Sequence, residues 1–587
     1  MPLRPLAAAL LVAVCLLAVP PTLAHTAESV ECGARAIGDT LTVVMRPILS
    51  VPVILADGQS FTIEAKASSG TTGWSAALER GGLSYPLALS SVSYESAHER
   101  WFMTATVPAG TPEELYDLHV QAGGGIDDVT KHSVMVEDAL ANDYYFVHIT
   151  DAHLPTHLFY DDNGSESDTT EMDDLRAVID DINIINPAFV LITGDLINEG
   201  ELEDFENRRV FTKSKRILGE LDVPLFLTAG NHDIGGWDST PPPDGTARRT
   251  WWRFFGWRYL NDPPSGDNIY TQNYSFDYGH AHFVGVESYN NYDRWRRTTY
   301  GYDSFTTKQL AWLADDLSLV HPVKATVLFY HMDFQDQLNL SSLGVDGALY
   351  GHIHHDSGAI GASPFNLSTD NVCDDNRAMR LVRVSDNVVT PTETIAAGGG
   401  NGYNLRTNYD AANDGTETEI TATVTNGQPE DFEHARLKFY VPAASMPYAV
   451  DTGTITHSIV DGDVATYYVS VDLGSMTITD VTISPDTGVD DLPLASLSLV
   501  APPSPNPARA GSSLRYSLGH PAHVTVNVFG VSGRVVATLH DEWTPSGEQF
   551  ASWDLQDSSG RKVSSGIYFI RVAAAGESIS SKVLVLR

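Results

Sequence analysis

The chain has 587 residues, of which 42% are hydrophobic and 19% are charged. This length is too great for one hydrophobic core, so we expect several domains of roughly 100 to 200 residues each. The formal net charge of −39 at pH 7 repels nucleic acids and anionic membranes from the surface as a whole, which argues against a nucleic-acid-binding protein.

Residues 1–24 have the features of a secretory signal peptide. The cation Arg4 precedes an apolar run that two prolines interrupt, and small residues end at Ala24. This run is too short for a transmembrane helix, and no later apolar run reaches about 18 residues, so we predict no transmembrane segment. We expect a bacterial protein that is secreted or held at the cell surface. The sequence leaves open whether Cys32 and Cys373 form a disulfide.

Residues 25–138 consist of short β-rich runs separated by Gly, Pro and Ser. Phe61–Ala65 and Trp101–Thr106 are two of these runs. Because no helical periodicity is visible, the pattern predicts an N-terminal β-sandwich domain.

Residues 139–400 change to an alternation of strands and helices. Tyr145–Ile149 and Ala188–Ile192 are predicted strands, and the apolar residues between them share one face of a helix that Pro187 ends. A further helix is predicted over Thr307–Leu319. The alternation predicts an α/β domain.

Two β-rich domains are predicted after the α/β domain. Residues 401–490 form the first and residues 497–587 the second, and the Pro-rich segment 501–507 is expected to act as a link. The predicted architecture is thus an α/β domain flanked on both sides by all-β domains.

Five strand-like runs of the α/β domain each end in side chains that bind metal ions. The residues that follow the runs are Asp151 and His153; Asp195; Asn231, His232 and Asp233; His331; and His352 and His354. Because the carboxyl ends of strands in α/β sheets meet at one edge, we expect the five groups to face one cleft. Carboxylates mixed with imidazoles suit Mn, Fe or Zn, and the absence of cysteine from the motifs argues against a structural zinc site.

Two divalent metal ions are the economical interpretation of so many ligands. Two-metal sites for in-line displacement hold their ions about 3.5 to 4 Å apart, and a shared carboxylate can bridge them. Glycines precede Asp195, Asn231 and His352, and they predict sharp turns that bring the backbone close to the ions.

These motifs, in this order, resemble those of the calcineurin-like metallophosphoesterases over residues 144–400. The resemblance implies an αββα sandwich with a dinuclear metal centre. It implies that Asp151, His153 and His354 hold one ion, that Asn231, His331 and His352 hold the other, and that Asp195 bridges them. It also implies that His232 contacts the phosphoryl group as an acid or transition-state stabiliser, and Asp233 is a candidate for orienting it.

The chemistry implied by this resemblance is hydrolysis by a metal-activated bridging hydroxide. Two cations neutralise the phosphoryl oxygens and lower the pKa of a bridging water from about 15.7 towards 7. His232 can then stabilise or protonate the departing alkoxide. The predicted function is a secreted, metal-dependent phosphoric ester hydrolase that acts on phosphomonoesters or phosphodiesters.

Alternatives remain open within and beyond this class. Asn198 and Glu199 stand where protein Ser/Thr phosphatases carry Asp and Arg, which argues against phosphoprotein phosphatase activity. A cyclic-nucleotide or phospholipid-headgroup phosphodiesterase is one alternative. A surface adhesion or scaffold protein with a relic catalytic domain is another, although the complete ligand set argues against it.

The C-terminal module resembles the Ig-like sorting domains of type IX secretion. The resemblance rests on Pro505–Pro507, Val531–Arg534 and the closing strand Lys582–Arg587. It implies passage through the outer membrane, with export machinery or a surface attachment as the partner. A plain β-sandwich spacer is the alternative.

Several other residues have a structural interpretation. His148 lies within a predicted strand and is expected to pack in the core, and His280 and His282 are expected to be structural. The aromatic segment Trp251–Tyr259 predicts either a short helix packed on the domain or, with nearby arginines, a basic rim that attracts a phosphate ester.

Overall fold

The protein is represented by a computed structural model that divides into two compact units, Met1–Pro485 and Asp486–Arg587. The structure describes residues 43–96, 100–155, 170–198, 204–234, 251, 253–255, 273–287, 305, 307–320, 324–398, 405–445, 447–486, 497–518, 522–531, 534–544, 547–574 and 577–587. The predicted signal peptide and Cys32 lie outside the described residues, as do the arginines expected to form the basic rim: Arg248, Arg249, Arg294, Arg296 and Arg297. Within the described part, no helix has the length and apolar character needed to cross a membrane.

The N-terminal region is a β-sandwich. Its strands are β1 Val44–Arg46, β2 Val53–Ala56, β3 Ser60–Ala65, β4 Ser75–Arg80, β5 Leu83–Pro86, β6 Ala88–Glu95, β7 Arg100–Thr106, β8 Glu114–Ala122 and β9 Ile126–Glu137. They form a four-stranded sheet in the order β1-β3-β7-β6 and a five-stranded sheet in the order β2-β9-β8-β4-β5. The alternating apolar residues of both sheets, such as Ile63 and Leu118, are fully buried in a common core.

The α/β region follows directly. Its elements are β10 Asp143–Ile149, α1 Thr170–Ile185, β11 Val190–Ile192, α2 Asp204–Leu218, β12 Leu225–Leu227, α3 Asn231–Ile234, β13 Tyr274–Tyr278, β14 Ala281–Gly285, α4 Thr307–Leu319, β15 Ala325–Phe329, α5 Gln335–Leu338, α6 Leu340–Leu343, β16 Gly347–Tyr350, β17 Phe365–Ser368, β18 Ala378–Ser385 and β19 Val388–Ala396. Helix α1 has Glu171 and Asp173 in its first turn, where carboxylates favour a helix N-terminus. It ends before Asn186, whose φ is 55°, and Pro187.

Two five-stranded sheets form the centre of this region. The first sheet has the order β12-β11-β10-β18-β19, and the second has the order β13-β14-β15-β16-β17. Buried aromatic rings fill the space between them: Phe146 stacks on Phe189 with ring centroids 5.1 Å apart, and Phe283 meets Phe146 edge-on at 5.2 Å.

Helices cover the outer face of each sheet, since apolar residues of α1 and α2 pack on the first sheet and Leu313 of α4 packs on the second. The predicted αββα sandwich is confirmed.

A further β region completes the first unit. Its elements are β20 Leu405–Tyr409, β21 Ile420–Asn426, β22 Phe432–Pro442, a 3₁₀ turn at Ala443–Ser445, β23 Tyr448–Val450, β24 Thr454–Asp461, β25 Val464–Leu473 and β26 Thr477–Pro485. Its core is continuous with the helix-covered face of the first sheet. Asp222 joins all three regions of the unit, because its carboxylate pairs with Arg80 and Lys438 and its backbone carbonyl accepts a hydrogen bond from Arg436.

The second unit is a β-sandwich of its own. Its strands are β27 Leu497–Ser504, β28 Ser512–Leu518, β29 Ala522–Gly530, β30 Val535–Thr544, β31 Gly547–Trp553, β32 Gly566–Ala574 and β33 Glu577–Val585. The expectation that residues 501–507 link two domains is wrong, because β27 pairs with β28 as part of this module. Pro502 and Pro503 fit there because β27 is an edge strand and its register with β28 is interrupted between Ala501 and Ser504, so neither proline is a paired residue.

Candidate metal centre

The carboxyl ends of five strands bring the predicted ligands together at one edge of the sandwich. Asp151 follows β10, Asp195 follows β11 and Asn231 follows β12, all in the first sheet. His331 and His352 follow β15 and β16 of the second sheet. The site is therefore built across the interface between the two sheets.

One group of donors contains Asp151, His153 and His354, whose nearest ligand atoms all lie within 4.8 Å of one another. Nε2 of His153 lies 3.0 Å from Nε2 of His354. Oδ1 of Asp151 lies 3.6 Å from the first of these nitrogens and 3.5 Å from the second. Oδ2 accepts hydrogen bonds from the amide of His352 at 2.8 Å and from the hydroxyl of Thr150 at 2.7 Å.

Oδ1 of Asp151 is the one buried oxygen of this group without a hydrogen-bond donor. It is fully buried and has no hydrogen-bond partner, although the carboxylate is ionised by its surroundings. A buried anionic oxygen without a donor is costly, and a cation facing it removes the cost. The orphaned oxygen, aimed at two imidazole nitrogens, fits a bound metal ion.

A second group of donors contains Asp195, His331 and His352, again within 4.8 Å of one another. Nδ1 of His331 donates to the carbonyl of Thr193 at 2.6 Å, which turns Nε2 toward the site. This Nε2 lies 2.9 Å from Oδ2 of Asp195 and 3.1 Å from Oδ1 of Asn231. Nε2 of His331, held in this way, faces the same point as two oxygens, and such a set of donors also fits a cation.

Asp195 adjoins both groups. Its Oδ2 lies 2.9 Å from Nε2 of His331 in the second group and 3.7 Å from Nε2 of His153 in the first. Its Oδ1 accepts a hydrogen bond from the backbone amide of His232 at 2.8 Å. The position between the groups is the one that a bridging carboxylate requires.

His232 lies beside the first group. Its ring centroid is 4.7 Å from that of His153, and its Nε2 is 4.0 Å from Oδ2 of Asp195. Nδ1 is held by a short hydrogen bond to the backbone carbonyl of Asn198, so the ring has a fixed orientation. Burial lowers the pKa of His232, and this effect outweighs the negative charge of Asp195, which raises it.

Asp233 has partners other than the ring it was expected to orient. Its two carboxylate oxygens accept hydrogen bonds from the backbone amides of Ile197 at 3.2 Å and Gly230 at 2.8 Å. The expectation that Asp233 orients His232 is therefore corrected: Asp233 joins two ligand-bearing loops, and the carbonyl of Asn198 orients the imidazole. The physical reason is that adjacent residues of a helical turn point in different directions.

The two buried carboxylates are held in the ionised form. Burial alone would raise the pKa of Asp151, but the adjacent imidazoles of His153 and His331 hold it well below its usual range. Burial likewise opposes ionisation of Asp195, and the charge of His331 outweighs it, so that the pKa of Asp195 falls to about 2. The site thus concentrates negative charge on two fully buried side chains.

The imidazoles of the second group respond to this negative charge in opposite ways. Burial would lower the pKa of His331, but Asp195 and Asp151 raise it to about 9. Burial and the proximity of His331 lower the pKa of His352 to about 4. The carboxylates therefore favour positive charge at the point where the donors of the group meet.

Backbone strain is concentrated in the same loops. Residues with positive φ include Asp151 at 54°, His153 at 44°, Asp195 at 47°, His352 at 71° and His354 at 51°. This left-handed region is sparsely populated by residues other than glycine, and such strain persists where the surrounding structure requires it. Five of the seven predicted ligands are in this conformation.

Glycines make room for the ligands, as the sequence predicted. A Cβ on Gly230 would collide with Oδ1 of Asp195, and a Cβ on Gly351 would collide with Oδ2 of Asp151. Gly194, whose φ is 88°, abuts the backbone of Gly230. A larger residue at these positions would displace a ligand or its loop.

Sequence reasoning missed several neighbours of the ligands. The carbonyls of Thr193 and Asn198 were missed because a backbone acceptor leaves no mark on the residue type. Asp374 was missed because it belongs to no motif. Its Oδ2 lies 4.0 Å from Nδ1 of His354 and 3.5 Å from Sγ of the buried Cys373. The run of acidic residues that follows Cys373 was the one available signal.

The other segments singled out in the sequence have structural roles in the described part of the chain. His148 is fully buried, and His282 pairs with Asp277 and Asp316 at 2.7 and 3.0 Å. Trp251 and Phe255 are buried and pack against Phe211 of α2, with ring centroids 6.0 and 5.8 Å from it, as expected for the structural alternative.

Two family models match the chain. Residues 144–356 match the model described as calcineurin-like phosphoesterase, which confirms the predicted resemblance and the predicted enzyme class, a metal-dependent phosphoester hydrolase. Residues 504–586 match the model described as secretion system C-terminal sorting domain, which confirms the second resemblance and implies secretion or a cell-surface location.

Similar solved structures include a dimetal phosphatase from Danio rerio. It is 16% identical, with 43% of this chain and 98% of that chain covered and a TM-score of 0.31. A purple acid phosphatase from yellow lupin (Lupinus luteus) seeds is 11% identical, with 63% of this chain and 70% of that chain covered and a TM-score of 0.34. A search of curated proteins found no match.

Proposed function

We propose that this chain, whose residues 144–356 match the calcineurin-like phosphoesterase model, is an exported hydrolase that uses two divalent metal ions to cleave phosphomonoesters or phosphodiesters. The observation that carries the proposal is the position of Asp195. One oxygen of its carboxylate adjoins imidazoles of both donor groups, at 2.9 Å from His331 and 3.7 Å from His153. Two ions that share this carboxylate account for all seven ligands.

The assignment of ligands follows the two donor groups. Asp151, His153 and His354 would hold one ion; Asn231, His331 and His352 would hold the other; and Asp195 would lie between them. The set of two carboxylates, one amide oxygen and four imidazoles suits Mn, Fe or Zn. When bound, the ions supply positive charge to the phosphoryl oxygens and lower the pKa of water at the site.

The chain's own residues supply the remaining parts of the reaction. His232 donates its Nδ1 proton to the carbonyl of Asn198 and so directs Nε2 into the site. In the imidazolium form of the ring, Nε2 carries the proton that the leaving oxygen takes up. The sandwich edge holds the ligands before substrate binds, because buried hydrogen bonds from Thr150 and the amide of His352 fix Asp151. Preorganisation of this kind lowers the barrier without rearrangement during the reaction.

The location proposed for this activity is outside the cytoplasm. The C-terminal sorting domain supports export, and residues 1–24 are proposed as the signal peptide that begins it. A relic site in an adhesion protein is less consistent with the structure, because all seven ligands are present and the strained loops that hold them are intact.

The proposal is tested by measuring the turnover of p-nitrophenyl phosphate and of bis-p-nitrophenyl phosphate by purified protein loaded with Mn²⁺ or Zn²⁺. We expect metal-dependent hydrolysis of at least one of the two esters and its loss in Asp195→Ala. Metal-loaded, folded protein that hydrolyses neither ester would contradict the proposal. The ratio of the two rates distinguishes a monoesterase from a diesterase.

A further inference from the structure

A buried series of hydrogen bonds lies next to the metal centre and has no part in the mechanism above. His148 of β10 is fully buried, and its Nε2 is hydrogen-bonded to Oγ1 of Thr193 at 2.9 Å. Its Nδ1 is hydrogen-bonded to Oγ1 of Thr369 at 2.7 Å, and Nε of Arg380 donates to the same hydroxyl at 3.1 Å. These four residues are called the His148 network below.

The network reaches a proposed metal ligand through Thr193. The hydroxyl of Thr193 is held by His148, and its carbonyl accepts the Nδ1 proton of His331 at 2.6 Å. That bond selects the tautomer of His331 in which Nε2 faces Oδ2 of Asp195 at 2.9 Å. Thr193 is therefore in contact with both His148, through its side chain, and His331, through its backbone.

The network also connects the two sheets at the edge where the ligands meet. His148 and Arg380 belong to β10 and β18 of the first sheet, and Thr193 follows β11 of the same sheet. Thr369 follows β17 of the second sheet, which also supplies His331 after β15. Because each donor group draws ligands from both sheets, their spacing depends on contacts of this kind.

The hydrogen-bonding capacity of His148 matches its partners. A neutral imidazole has one donor and one acceptor, and each ring nitrogen of His148 meets a hydroxyl that can serve as either. Arg380 fixes the far end, because its guanidinium also binds Asp356 at 2.6 Å and the carbonyl of Ser368 at 2.8 Å. Burial and the neighbouring guanidinium lower the pKa of His148 to about 3, so the ring is neutral in ordinary buffers.

We propose that His148 is a positioning residue for the metal centre: it fixes Thr193, and Thr193 fixes the ring of His331. This inference rests on the proposed function only in requiring that His331 binds a metal ion. Partners outside the ligand set commonly change metal affinity about 10- to 100-fold, because they set the orientation and tautomer of the ligand. His148 acts one residue further from the ion than such partners usually do.

The test is a calorimetric titration of the metal-free full chain with Mn²⁺. The variants are His148→Leu, which removes both hydrogen bonds; Thr193→Val, which removes the hydroxyl and keeps the carbonyl; and His148→Gln, whose amide restores a donor and an acceptor. Ser214→Ala is the matched control, since Ser214 is equally buried in α2 but bonds only within its helix, to Val210 at 2.8 Å. Thermal unfolding of each metal-free variant measures its structural effect.

We expect two Mn²⁺ per wild-type chain. In His148→Leu and Thr193→Val we expect one of the two affinities to fall about 10- to 100-fold. His148→Gln should recover part of the loss, and Ser214→Ala should bind as wild type. A purely structural role would lower the unfolding temperature of the metal-free variants and leave the affinities unchanged.

Two outcomes count against the inference in different ways. Wild-type Mn²⁺ affinities in folded Thr193→Val and His148→Leu would overturn the positioning role and leave the proposed function standing. A wild-type chain that binds no Mn²⁺ would overturn the proposed function, and the positioning role with it. If His148→Leu does not fold, the comparison of Thr193→Val with Ser214→Ala decides alone.

Discussion

The backbone amide of His352 donates a hydrogen bond to Oδ2 of Asp151 at 2.8 Å, so a proposed ligand from the second sheet holds a proposed ligand from the first. This bond satisfies one oxygen of Asp151 and leaves the other, Oδ1, directed at the nitrogens of His153 and His354. It forms only because Gly351 lets the loop after β16 approach the carboxylate closely.

Gly351→Ala should therefore damage the metal centre. The added Cβ would collide with Oδ2 of Asp151, and the loop or the carboxylate must move to relieve the collision. We expect weaker metal binding and turnover reduced at least about tenfold, since small displacements of ligands have large effects on catalysis. Metal content and kcat measure this.

Gly361→Ala is the control for this substitution, because no atom lies within 4 Å of the added Cβ. It should behave as wild type in both measurements. If Gly351→Ala bound metal and turned over like Gly361→Ala, the close approach of the loop would not matter to the site.

His232→Ala should separate metal binding from catalysis. His232 is not among the seven proposed ligands; a ring nitrogen lies within 4.8 Å of donor atoms of His153 and Asp195, and Nδ1 is held by the carbonyl of Asn198. We expect the variant to retain its metal ions while kcat falls about 10²- to 10⁴-fold, the usual contribution of a general acid or base. The exposed His280, whose nearest carboxylate lies at 3.9 Å, provides the control His280→Ala. Unchanged kcat in metal-loaded His232→Ala would reject the assigned role.

The stability of the fold should depend on pH through His282. Burial would lower the pKa of this imidazole, but hydrogen bonds to Asp277 and Asp316 raise it to about 9, above the value near 6.5 of an unfolded chain. The resulting stabilisation is complete below about pH 6.5 and is lost as the pH rises through about 9. Because Asp277 is half exposed, we expect only about 1 to 2 kcal/mol.

The measurement is the thermal midpoint of wild type and His282→Gln at several pH values. The difference between the two proteins should be largest near pH 6 and smallest near pH 10. His280→Gln should show no such trend, because His280 is half exposed. A difference between wild type and His282→Gln that stays constant over this range would show that the ion pairs contribute nothing.

Removal of the second unit should leave catalysis intact. The unit Asp486–Arg587 has its own core, and all proposed ligands lie in Met1–Pro485. A chain that ends at Pro485 should have the kcat and metal content of the full chain. A chain cut at Ala501 should be less soluble, because it keeps residues 497–500 of β27 without their partner strand. Loss of turnover in a folded chain ending at Pro485 would show that the second unit takes part in catalysis.

The sequence contained the ligands of the site because each follows a recognisable strand. Asp151 and His331 each lie two residues after the end of a buried strand, and the convergence of strand ends at one edge is a general property of α/β sheets. The division of the strands between two facing sheets could be predicted only from the family resemblance, because hydrophobic periodicity does not indicate which strands pair.

Helix α2 and the hydrogen bonds of His148 could be recognised only in the folded structure. Helix α2 was not predicted, because few of its described side chains are apolar and its packing partner Phe255 lies in a different segment. His148 was interpreted as a packed core residue, and it is buried, but its partners Thr193 and Thr369 are brought to it by separate strands. Hydrogen bonds between distant segments leave no periodic signal in the sequence.

The decisive measurement is the metal content of the purified full-length protein, by elemental analysis after loading with Mn²⁺ or Zn²⁺ and removal of the excess. A centre in which Asp195 is shared by two ions requires close to two ions per chain in the wild type. Asp195→Ala, which removes the shared carboxylate, should retain one ion or none. A folded wild-type chain that retains no ion after loading, or an Asp195→Ala variant that still holds two, would contradict the dinuclear centre.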